Sequence, residues 1–326
     1  LGAAEHGEAF MRARMEASAR RLLKNIFRTG LFENPYLQPD ESAKVVGCPA
    51  YMAEGFDAQI KSLVLLKNKS HALPLAPKTK LYVPKVHTPA NTDWMGIATE
   101  ELWHDPVSPA LLGKYFELTD DPAQAEAAVC FIRQPNGAGF TLLGGYDAQD
   151  RKNGGNGYVP VSLQYRPYTA TQAREHSIAG GDPKEDFIDR SYRGKTVTVD
   201  NEDDLDLVLD TRKVMGDKPV IVCVKMTNPM VVAEFEPAAD AIIAAFGDLP
   251  QALLEVISGN CEPSGLLPMQ LPRDMDTVEQ QCEDVPFDMA CHTDTEGHLY
   301  DFGFGMDWSG MIDDERVKKY AHRHSQ

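Results

Sequence analysis

The pattern of hydrophobic and polar positions is organised around two apolar runs in the second half of the chain. Residues 220–226 and 241–246 are almost unbroken and rich in β-branched side chains. Runs of this length with few polar interruptions suit strands covered on both faces, as in a parallel sheet flanked by helices. Residues 127–132 form another apolar run of this kind. The pattern therefore predicts buried strands of an α/β fold.

Helical periodicity appears between and before these runs. In residues 247–259, apolar side chains recur at helical spacing after Pro250, and Gly259 stands where a left-handed C-cap would end a helix. Residues 200–204 are acidic or capping residues, and an amphipathic pattern follows them until Gly216. A calcium loop is the alternative for this acidic cluster, but the loop glycine and closing Glu of an EF-hand are missing. A helix N-terminus already explains the charges.

The first third of the chain has a different pattern. Residues 5–29 predict a strongly amphipathic helix with one apolar stripe, and residues 31–47, which contain Pro and Asn, predict an extended linker. A second helix is expected at residues 49–68, then a strand at residues 80–86 and a weak helix at residues 111–116. The stripe consists of Phe10, Met11, Met15, Ala19, Leu22, Leu23 and Ile26. Because such a stripe needs cover, we expect it to pack against a second polypeptide.

A long Gly-rich insertion, residues 134–194, follows the apolar run 127–132. A loop of this length inside an α/β domain is either functional or disordered, and its many aromatic residues oppose disorder. Within it, two carboxylates are followed by cationic and amide side chains, namely Asp147, Asp150, Arg151, Lys152 and Asn153. Further carboxylates follow in the same insertion, namely Glu175, Asp182, Glu185 and Asp186. Aromatic rings stack on sugar faces, while carboxylates bind hydroxyls or protonate a leaving oxygen. Exposed loop charges with no catalytic role are the alternative.

Composition sets the outer limits of function. The chain has 326 residues, 43% of them hydrophobic, and a formal net charge of -17. This charge argues against binding nucleic acid or an anionic membrane through a basic patch. No apolar run approaches the roughly 20 residues of a membrane span. The start at Leu1, without a signal peptide, is expected of a processed or partial product and leaves the compartment open, although free thiols favour the cytoplasm.

Common motifs of nucleotide, hydrolase and metal chemistry are missing or incomplete. Gly137 and Gly139 follow a strand, but Leu142 stands where a dinucleotide fingerprint needs its third glycine, and no P-loop exists. GxSxG and HExxH are also absent. Cys291, His292 and His298 form a small group whose spacing matches no common zinc finger. We therefore expect neither a cofactor nor a metal. The six cysteines have no CxxC spacing, and Cys130 and Cys223 are expected to be buried and reduced.

Five ordered segments resemble a known family. They are GLFENPYLQPDESAKVVG (30–47), SLVLLKNKSHALPL (62–75), KPVIVCVKMTNPMVV (218–232), EPSGLLPMQLP (262–272) and YDFGFGMDWSG (300–310). In this order they resemble the C-terminal half of glycoside hydrolase family 3, which includes β-glucosidases, β-xylosidases and exo-glucanases. The resemblance implies a three-layer α/β sandwich preceded by the last helix of a missing (β/α)8 barrel. Residues 1–47 would be this helix and the interdomain linker, 48–272 the sandwich, and 273–326 a C-terminal wrap.

The resemblance also implies a function and its residues. Family members are retaining enzymes with an Asp nucleophile on the barrel and a Glu acid/base usually supplied by the second domain. Here the barrel is absent, and RQPNGAGF after residue 132 carries no carboxylate where many members show Glu. Asp150 and Asp147 are then our acid/base candidates, with Trp94 of DWMG, Arg151, Lys152 and Asn153 as sugar contacts.

The expected substrate is a β-linked oligosaccharide or glycoside with a terminal glucosyl or xylosyl residue. A barrel chain or segment would pack on residues 5–29, and this chain alone is expected to be inactive because it lacks the nucleophile. A non-catalytic carbohydrate-binding or structural module is the alternative, and an independent nucleotide-binding protein is a third hypothesis.

Overall fold

The structure is a computed structural model that describes residues 2–92, 97–136, 152–154, 157, 161–174, 191–247, 249–282, 285 and 287–321. The chain divides into two compact units, residues 1–55 and residues 56–326. Each unit is described separately below. In the described part of the chain, no helix is long and apolar enough to cross a membrane.

The first unit is helical. It contains α1 (Gly2–His6), α2 (Glu8–Arg28), α3 (Pro39–Val45) and the start of α4 (Pro49–Lys61). Helix α2 confirms the predicted amphipathic helix, and none of its residues is buried. Helix α3 shows that the prediction of an extended linker was wrong for residues 39–45. Pro39 takes the first helical position, where its missing N–H costs nothing, and Asp40 and Glu41 follow in the first turn.

The prediction of one helix over residues 49–68 was also wrong in its second half. Helix α4 ends at Lys61, and β1 (Val64–Asn68) follows. A short apolar run such as SLVLL fits a helix or a strand equally well by periodicity. Its pairing settles the choice, because Leu65 lies opposite Ile243 in an antiparallel ladder.

The remaining elements belong to the second unit. Its other strands are β2 (Lys80–Tyr82), β3 (Val86–Thr88), β4 (Asn91–Thr92), β5 (Ala98–Thr99), β6 (Leu102–His104), β7 (Glu117–Leu118), β8 (Ala127–Arg133), β9 (Tyr168–Thr169), β10 (Thr196–Val197), β11 (Val220–Lys225), β12 (Ala241–Ala245), β13 (Met306–Asp307) and β14 (Gly310–Met311). Its other helices are α5 (Pro109–Leu112), α6 (Asp203–Met215), α7 (Pro250–Ile257), α8 (Met275–Gln280) and α9 (Glu315–Ala321). The strands and helices predicted around residues 127–132, 200–216, 220–226, 241–246 and 247–259 are confirmed.

Eight of the described strands form one mixed sheet in the order β14-β13-β1-β12-β11-β8-β2-β7. Its centre is parallel, because β11 pairs in parallel with both β8 and β12, and β2 pairs in parallel with β8 and β7. The sheet extends beyond residue 272, since Met306 of β13 lies opposite Leu65 of β1. Three smaller two-stranded pairs, β9 with β10, β3 with β6 and β4 with β5, lie outside this sheet.

A hydrophobic core covers each face of the sheet. In β11, Val220, Val222 and Val224 join one core, and Ile221 and Cys223 join the other. Helix α6 covers the first face through side chains such as those of Leu205 and Val208. Helices α5 and α7 and the end of α4 cover the second face. The expected three-layer α/β sandwich is therefore confirmed, and Cys130 and Cys223 are buried within it as predicted.

One charged cluster is buried inside the sandwich. Lys67 of β1 forms an ion pair with Glu236, and both side chains are at most 2% exposed. The ammonium group also donates to Thr295 Oγ1 at 2.9 Å, and the Glu236 carboxylate accepts from the Thr295 hydroxyl at 2.8 Å. His292 Nε2 lies 3.6 Å from the other carboxylate oxygen. Burial by itself would raise the pKa of Glu236, but the contacts from His292, Lys67 and Thr295 outweigh it and lower the pKa to about 2.

Candidate functional site

The carboxyl ends of the parallel strands meet at one edge of the sheet, which we call the carboxyl edge. Strand β8 ends here at Arg133, β11 at Lys225 and β12 at Ala245. A cleft of about 270 Å³ at this edge is lined by residues that include His104, Phe131, Arg133, Lys225, Gly247 and Leu253. In open α/β sheets, ligands bind in the crevice outside the carboxyl ends of the strands. The carboxyl edge is therefore the candidate functional site.

The Gly-rich insertion leaves the sheet at the carboxyl edge, and the N-terminus of α6 holds its first residues. Arg133 donates to the buried Asp204 carboxylate through its backbone N–H at 3.1 Å and its guanidinium Nε at 3.2 Å. Asn201 accepts from the Asn136 backbone N–H at 2.7 Å and donates to the Gln134 carbonyl at 3.0 Å. Asn201 also donates to Asp204 at 2.9 Å. The beginning of the insertion is thus fixed by buried polar side chains.

These contacts explain the acidic cluster at residues 200–204. Helix α6 begins at Asp203, so the interpretation as a helix N-terminus is confirmed. The Asp204 carboxylate accepts hydrogen bonds from the backbone N–H and the guanidinium group of Arg133 at the base of the insertion. Among the residues that the structure describes, no group of three or more His, Cys, Asp or Glu side chains could hold a metal.

Residues 161–174 bring the insertion back onto the sandwich. Tyr165 is fully buried, and its hydroxyl donates to the Arg133 carbonyl. The Glu234 carboxylate accepts from the backbone N–H groups of Tyr165 at 2.6 Å and Arg166 at 2.9 Å. Burial raises the pKa of Glu234 despite these two hydrogen bonds. Val231 adds a backbone hydrogen bond to the Leu163 carbonyl at 2.8 Å.

Arg166 then joins this returning segment to α6. Its guanidinium group pairs with Asp206 on the helix and with Glu202 just before it. Further along, the Gln172 backbone N–H donates to Glu279 Oε2 at 3.0 Å, and Arg174 donates to the Gln281 carbonyl at 2.7 Å. The described ends of the insertion are therefore held at several separate points.

A groove of about 710 Å³ lies between α6 and the ladder that β3 forms with β6. His87 of β3 lies directly opposite Trp103 of β6, and their rings stack with centroids 4.6 Å apart. His87 Nδ1 contacts Asp203 on α6, and Nε2 lies 2.9 Å from Glu101 Oε1. Trp103 is 58% exposed. The groove thus combines an accessible aromatic face with fixed charges.

The predicted site residues fall mostly outside this description. Asp147, Asp150, Trp94 and Arg151 lie outside the described residues. Lys152 and Asn153 belong to a short described stretch, 152–154, and both are exposed. The three residues of the predicted Cys/His group have different partners, since Cys291 accepts from Gln270, His292 faces Glu236, and His298 contacts Asp294.

Sequence reasoning missed the side chains that hold the insertion. Glu234, Tyr165 and Asn201 are single polar or aromatic residues within ordinary segments, and their partners lie about 65 to 70 positions away in the chain. Asp204 was included in the acidic cluster, but its contact with Arg133 could not be inferred from spacing. No signal in the sequence pointed to the contacts of Glu234, which is partly buried.

Residues 63–308 match the glycosyl hydrolase family 3 C-terminal domain. The chain belongs to glycosyl hydrolase family 3. Among curated family 3 relatives, a protein named Probable beta-glucosidase C from Aspergillus flavus is 27% identical over 299 residues, which cover 91% of this chain and 35% of that protein. A Putative beta-xylosidase from Formosa agariphila is 24% identical over 311 residues, which cover 91% of this chain and 36% of that protein.

The fold agrees with this assignment. A crystal structure of beta-glucosidase from Listeria innocua in complex with gluconolactone superposes with a TM-score of 0.51 at 16% sequence identity. That match covers 88% of this chain and 38% of the Listeria chain. This chain thus spans little more than a third of the length of the family 3 proteins that it matches. What it shares with them is the sandwich domain.

Proposed function

We propose that this chain is the C-terminal sandwich portion of a retaining β-glycosidase that hydrolyses terminal β-D-glucosyl or β-D-xylosyl residues. The observation that carries the proposal is the attachment of the insertion at the carboxyl edge through Asn201, Asp204, Tyr165 and Glu234. A loop that must present a catalytic group needs such rigid support. The names of the relatives, beta-glucosidase and beta-xylosidase, support the substrate class.

In this proposal the barrel supplies the nucleophile and the insertion supplies the acid/base. Asp150 and Asp147 are the proposed acid/base candidates, and Trp94, Arg151, Lys152 and Asn153 are the proposed sugar contacts. Residues 1–47 would form the last barrel helix and the linker, 48–272 the sandwich, and 273–326 the C-terminal wrap. A retaining displacement needs two carboxyl groups about 5 Å apart, so the proposal requires both parts of the enzyme.

The proposed partner surface is the apolar stripe of α2. Phe10, Met15 and Leu22 of this stripe are each more than half exposed. Burying a large apolar side chain is worth about 1.5 to 3 kcal/mol, so a covered stripe would contribute more than many domains have in total stability. A barrel chain or segment is the proposed occupant, and it would bring the nucleophile with it.

The decisive experiment compares the purified chain with an assembly that contains a family 3 barrel. The chain alone should not hydrolyse an aryl β-glucoside, whereas the assembly should. In the assembly, Asp150→Ala or Asp147→Ala should slow hydrolysis of glycosides with poor leaving groups far more than activated ones, because only poor leaving groups need protonation. Asp217→Ala is the matched control, since Asp217 is an exposed loop carboxylate at the amino end of β11.

The possible results distinguish the need for a barrel, the identity of the acid/base residue and the catalytic role of the assembly. Turnover by the isolated chain would contradict the need for a barrel. Equal loss on both substrates, or no loss, would move the acid/base role to another carboxylate. Saturable oligosaccharide binding without turnover in the assembly would favour the non-catalytic carbohydrate-binding module. Leu22→Glu should weaken association with the barrel, whereas Arg14→Glu on the same helix should have a smaller effect.

A further inference from the structure

The hydrogen bonding of His87 requires a particular protonation state. Its two ring nitrogens face two carboxylates, with Nδ1 against Asp203 and Nε2 at 2.9 Å from Glu101 Oε1. An ionised carboxylate only accepts hydrogen bonds, and a neutral imidazole carries one donor and one acceptor. A neutral His87 would therefore direct a lone pair at one of the carboxylates. Only the imidazolium ion donates to both.

The surrounding charges favour the protonated form. Helix α6 contributes Asp203, Asp206 and Asp210 to the groove, and Tyr82 and Lys85 come from β2 and the segment after it. Asp206 is paired with Arg166, and Asp210 is paired with Lys213. Lys85 is the opposing cation, but it is exposed and shares the groove with three carboxylates. The ring itself contacts Asp203 of α6 and Glu101, the residue that precedes β6.

The indole of Trp103 reinforces this preference. It stacks on the imidazole at an interplanar angle of 23°, and an aromatic face attracts a cation. The hydrogen bond to Asp203 raises the pKa of His87 most, partial burial acts in the opposite direction, and the bond to Glu101 raises it further. The side chain is 14% exposed, so protons reach it without unfolding of the sandwich.

Asp203 lies beside the residues that hold the insertion at the carboxyl edge. Asp203 is the first residue of α6 and lies between Asn201 and Asp204 in the chain. Asn201 and Asp204 hold the first residues of the insertion. His87 therefore connects the β3–β6 ladder to the same turn that anchors the insertion.

We infer that His87 is a proton-dependent latch that fastens the β3–β6 ladder to the N-terminus of α6 and releases it as the pH rises. Because the folded state raises the pKa of His87 above its ordinary value of 6.5, the contact contributes fully to stability below pH 6.5. Its contribution is lost as the pH rises through the folded-state pKa. The inference concerns the ladder and does not depend on the proposed glycosidase function.

Trp103 fluorescence tests the latch in the full chain without any substrate. Trp94→Phe and Trp308→Phe leave Trp103 as the reporter, because the chain has three tryptophans. A stacked imidazolium quenches indole emission more than a neutral imidazole does. Emission should therefore rise with a single midpoint above pH 6.5, and Asp203→Asn or Glu101→Gln should lower that midpoint. His87→Gln should abolish the transition.

His104→Gln is the matched control, since His104 lies in the same ladder opposite Val86 and contacts Thr88 instead of a carboxylate. It should leave the transition in place. Nitrogen chemical shifts of His87 in the unaltered chain provide a second measurement that needs no variant, and both ring nitrogens should be protonated at pH 6.5. After correction for intrinsic exchange, amides of β3 and β6 should exchange faster above the midpoint, whereas those of β11 should not.

A midpoint at or below 6.5, or a midpoint that Asp203→Asn leaves unchanged, would overturn the inference. A transition that survives in His87→Gln would do the same. Unchanged amide exchange in β3 and β6 across a normal His87 titration would refute the release step, because the ring would then titrate without loosening the ladder.

Discussion

Two bridges between a carboxylate and a cationic side chain hold parts of the sandwich together, and they differ in their access to water. The Lys67–Glu236 pair is at most 2% exposed and joins β1 to the segment after β11. In the His87–Asp203 pair, the histidine is 14% exposed and the carboxylate 51% exposed. The first pair lies in the interior of the sandwich, and the second connects the β3–β6 ladder to α6.

This difference in burial predicts that the two pairs respond differently to substitution, pH and salt. A buried charge that loses its partner has no water to replace it, so removing one member is very costly. A partly exposed pair contributes little, because water and salt compensate for its loss. The Lys67–Glu236 pair should therefore persist as long as the sandwich is folded, whereas the His87–Asp203 pair should form and break reversibly in the folded protein. Four predictions, in decreasing order of effect, test this contrast.

The largest effect is expected for Lys67→Met. The substitution leaves Glu236 ionised and buried without its ammonium partner, which should lower the free energy of unfolding by about 3 to 5 kcal/mol. Urea unfolding followed by circular dichroism measures the change. The double variant Lys67→Met, Glu236→Gln should recover much of the loss, and Lys213→Met, at an exposed pair, should change stability by less than about 0.5 kcal/mol. An equal loss in the single and double variants would contradict this account.

The second prediction concerns acid. Because the folded state lowers the pKa of Glu236 from 4.5 to about 2, its contribution is present above pH 4.5 and is lost as the pH falls towards 2. This loss should be on the order of 3 kcal/mol. Glu236→Gln should be less stable than the unaltered chain at neutral pH, and the difference should shrink over this interval. Parallel unfolding profiles for the two proteins between pH 5 and pH 2 would rule out the assignment to Glu236.

Tyr165→Phe tests a buried hydrogen bond between uncharged groups and should lower the free energy of unfolding by an intermediate amount. It removes the hydroxyl that donates to the Arg133 carbonyl, and a lost hydrogen bond at a buried acceptor costs about 1 to 2 kcal/mol. We expect this loss in denaturant unfolding and faster proteolysis within residues 134–194. Tyr36→Phe, at an exposed tyrosine, is the control and should behave like the unaltered chain.

The smallest effect is expected for His87→Gln. At pH 6 it should lower the free energy of unfolding by less than about 1 kcal/mol, as for other exposed ion pairs. The effect should fade as the pH rises through the folded-state pKa of His87, because the unaltered histidine then becomes neutral, and it should also fade in high salt. A loss as large as that of Lys67→Met would show that the two bridges do not differ in the way their exposure indicates.

The centre of the fold was predictable because its signal is local. All residues of β12 are apolar, and so are all residues of β11 except Lys225 at its end. Helices α6 and α7 have clear start or stop residues. Lys67 shows where this reasoning stops. It was assigned to a helix because SLVLLKN follows a helical segment, whereas pairing with β12, more than 170 residues later, makes it a strand residue.

The candidate site was harder to predict than the sheet, because its contacts join residues that are far apart in the sequence. The insertion was recognised from its length and composition, but its supports come from residues distant in sequence. Glu234 lies in a segment that gives no sign of binding backbone N–H groups at positions 165 and 166. Likewise, His87 acquires its charge environment from Glu101 and from Asp203, the latter 116 positions away. Such juxtapositions arise only when the sheet has brought these segments together.

The attachment of the insertion at two separate points, Asn136 and Tyr165, has a consequence for evolution and for protein engineering. Asn136, near the start of the insertion, is fixed by Asn201, and Tyr165, further along it, is fixed by Glu234. The entropy cost of closing a loop grows only with the logarithm of its length. Residues between the anchors can therefore be lengthened, shortened or exchanged with those of a relative at little cost to the sheet. The sandwich should therefore keep its fold when segments of different length and sequence are placed between these two anchors.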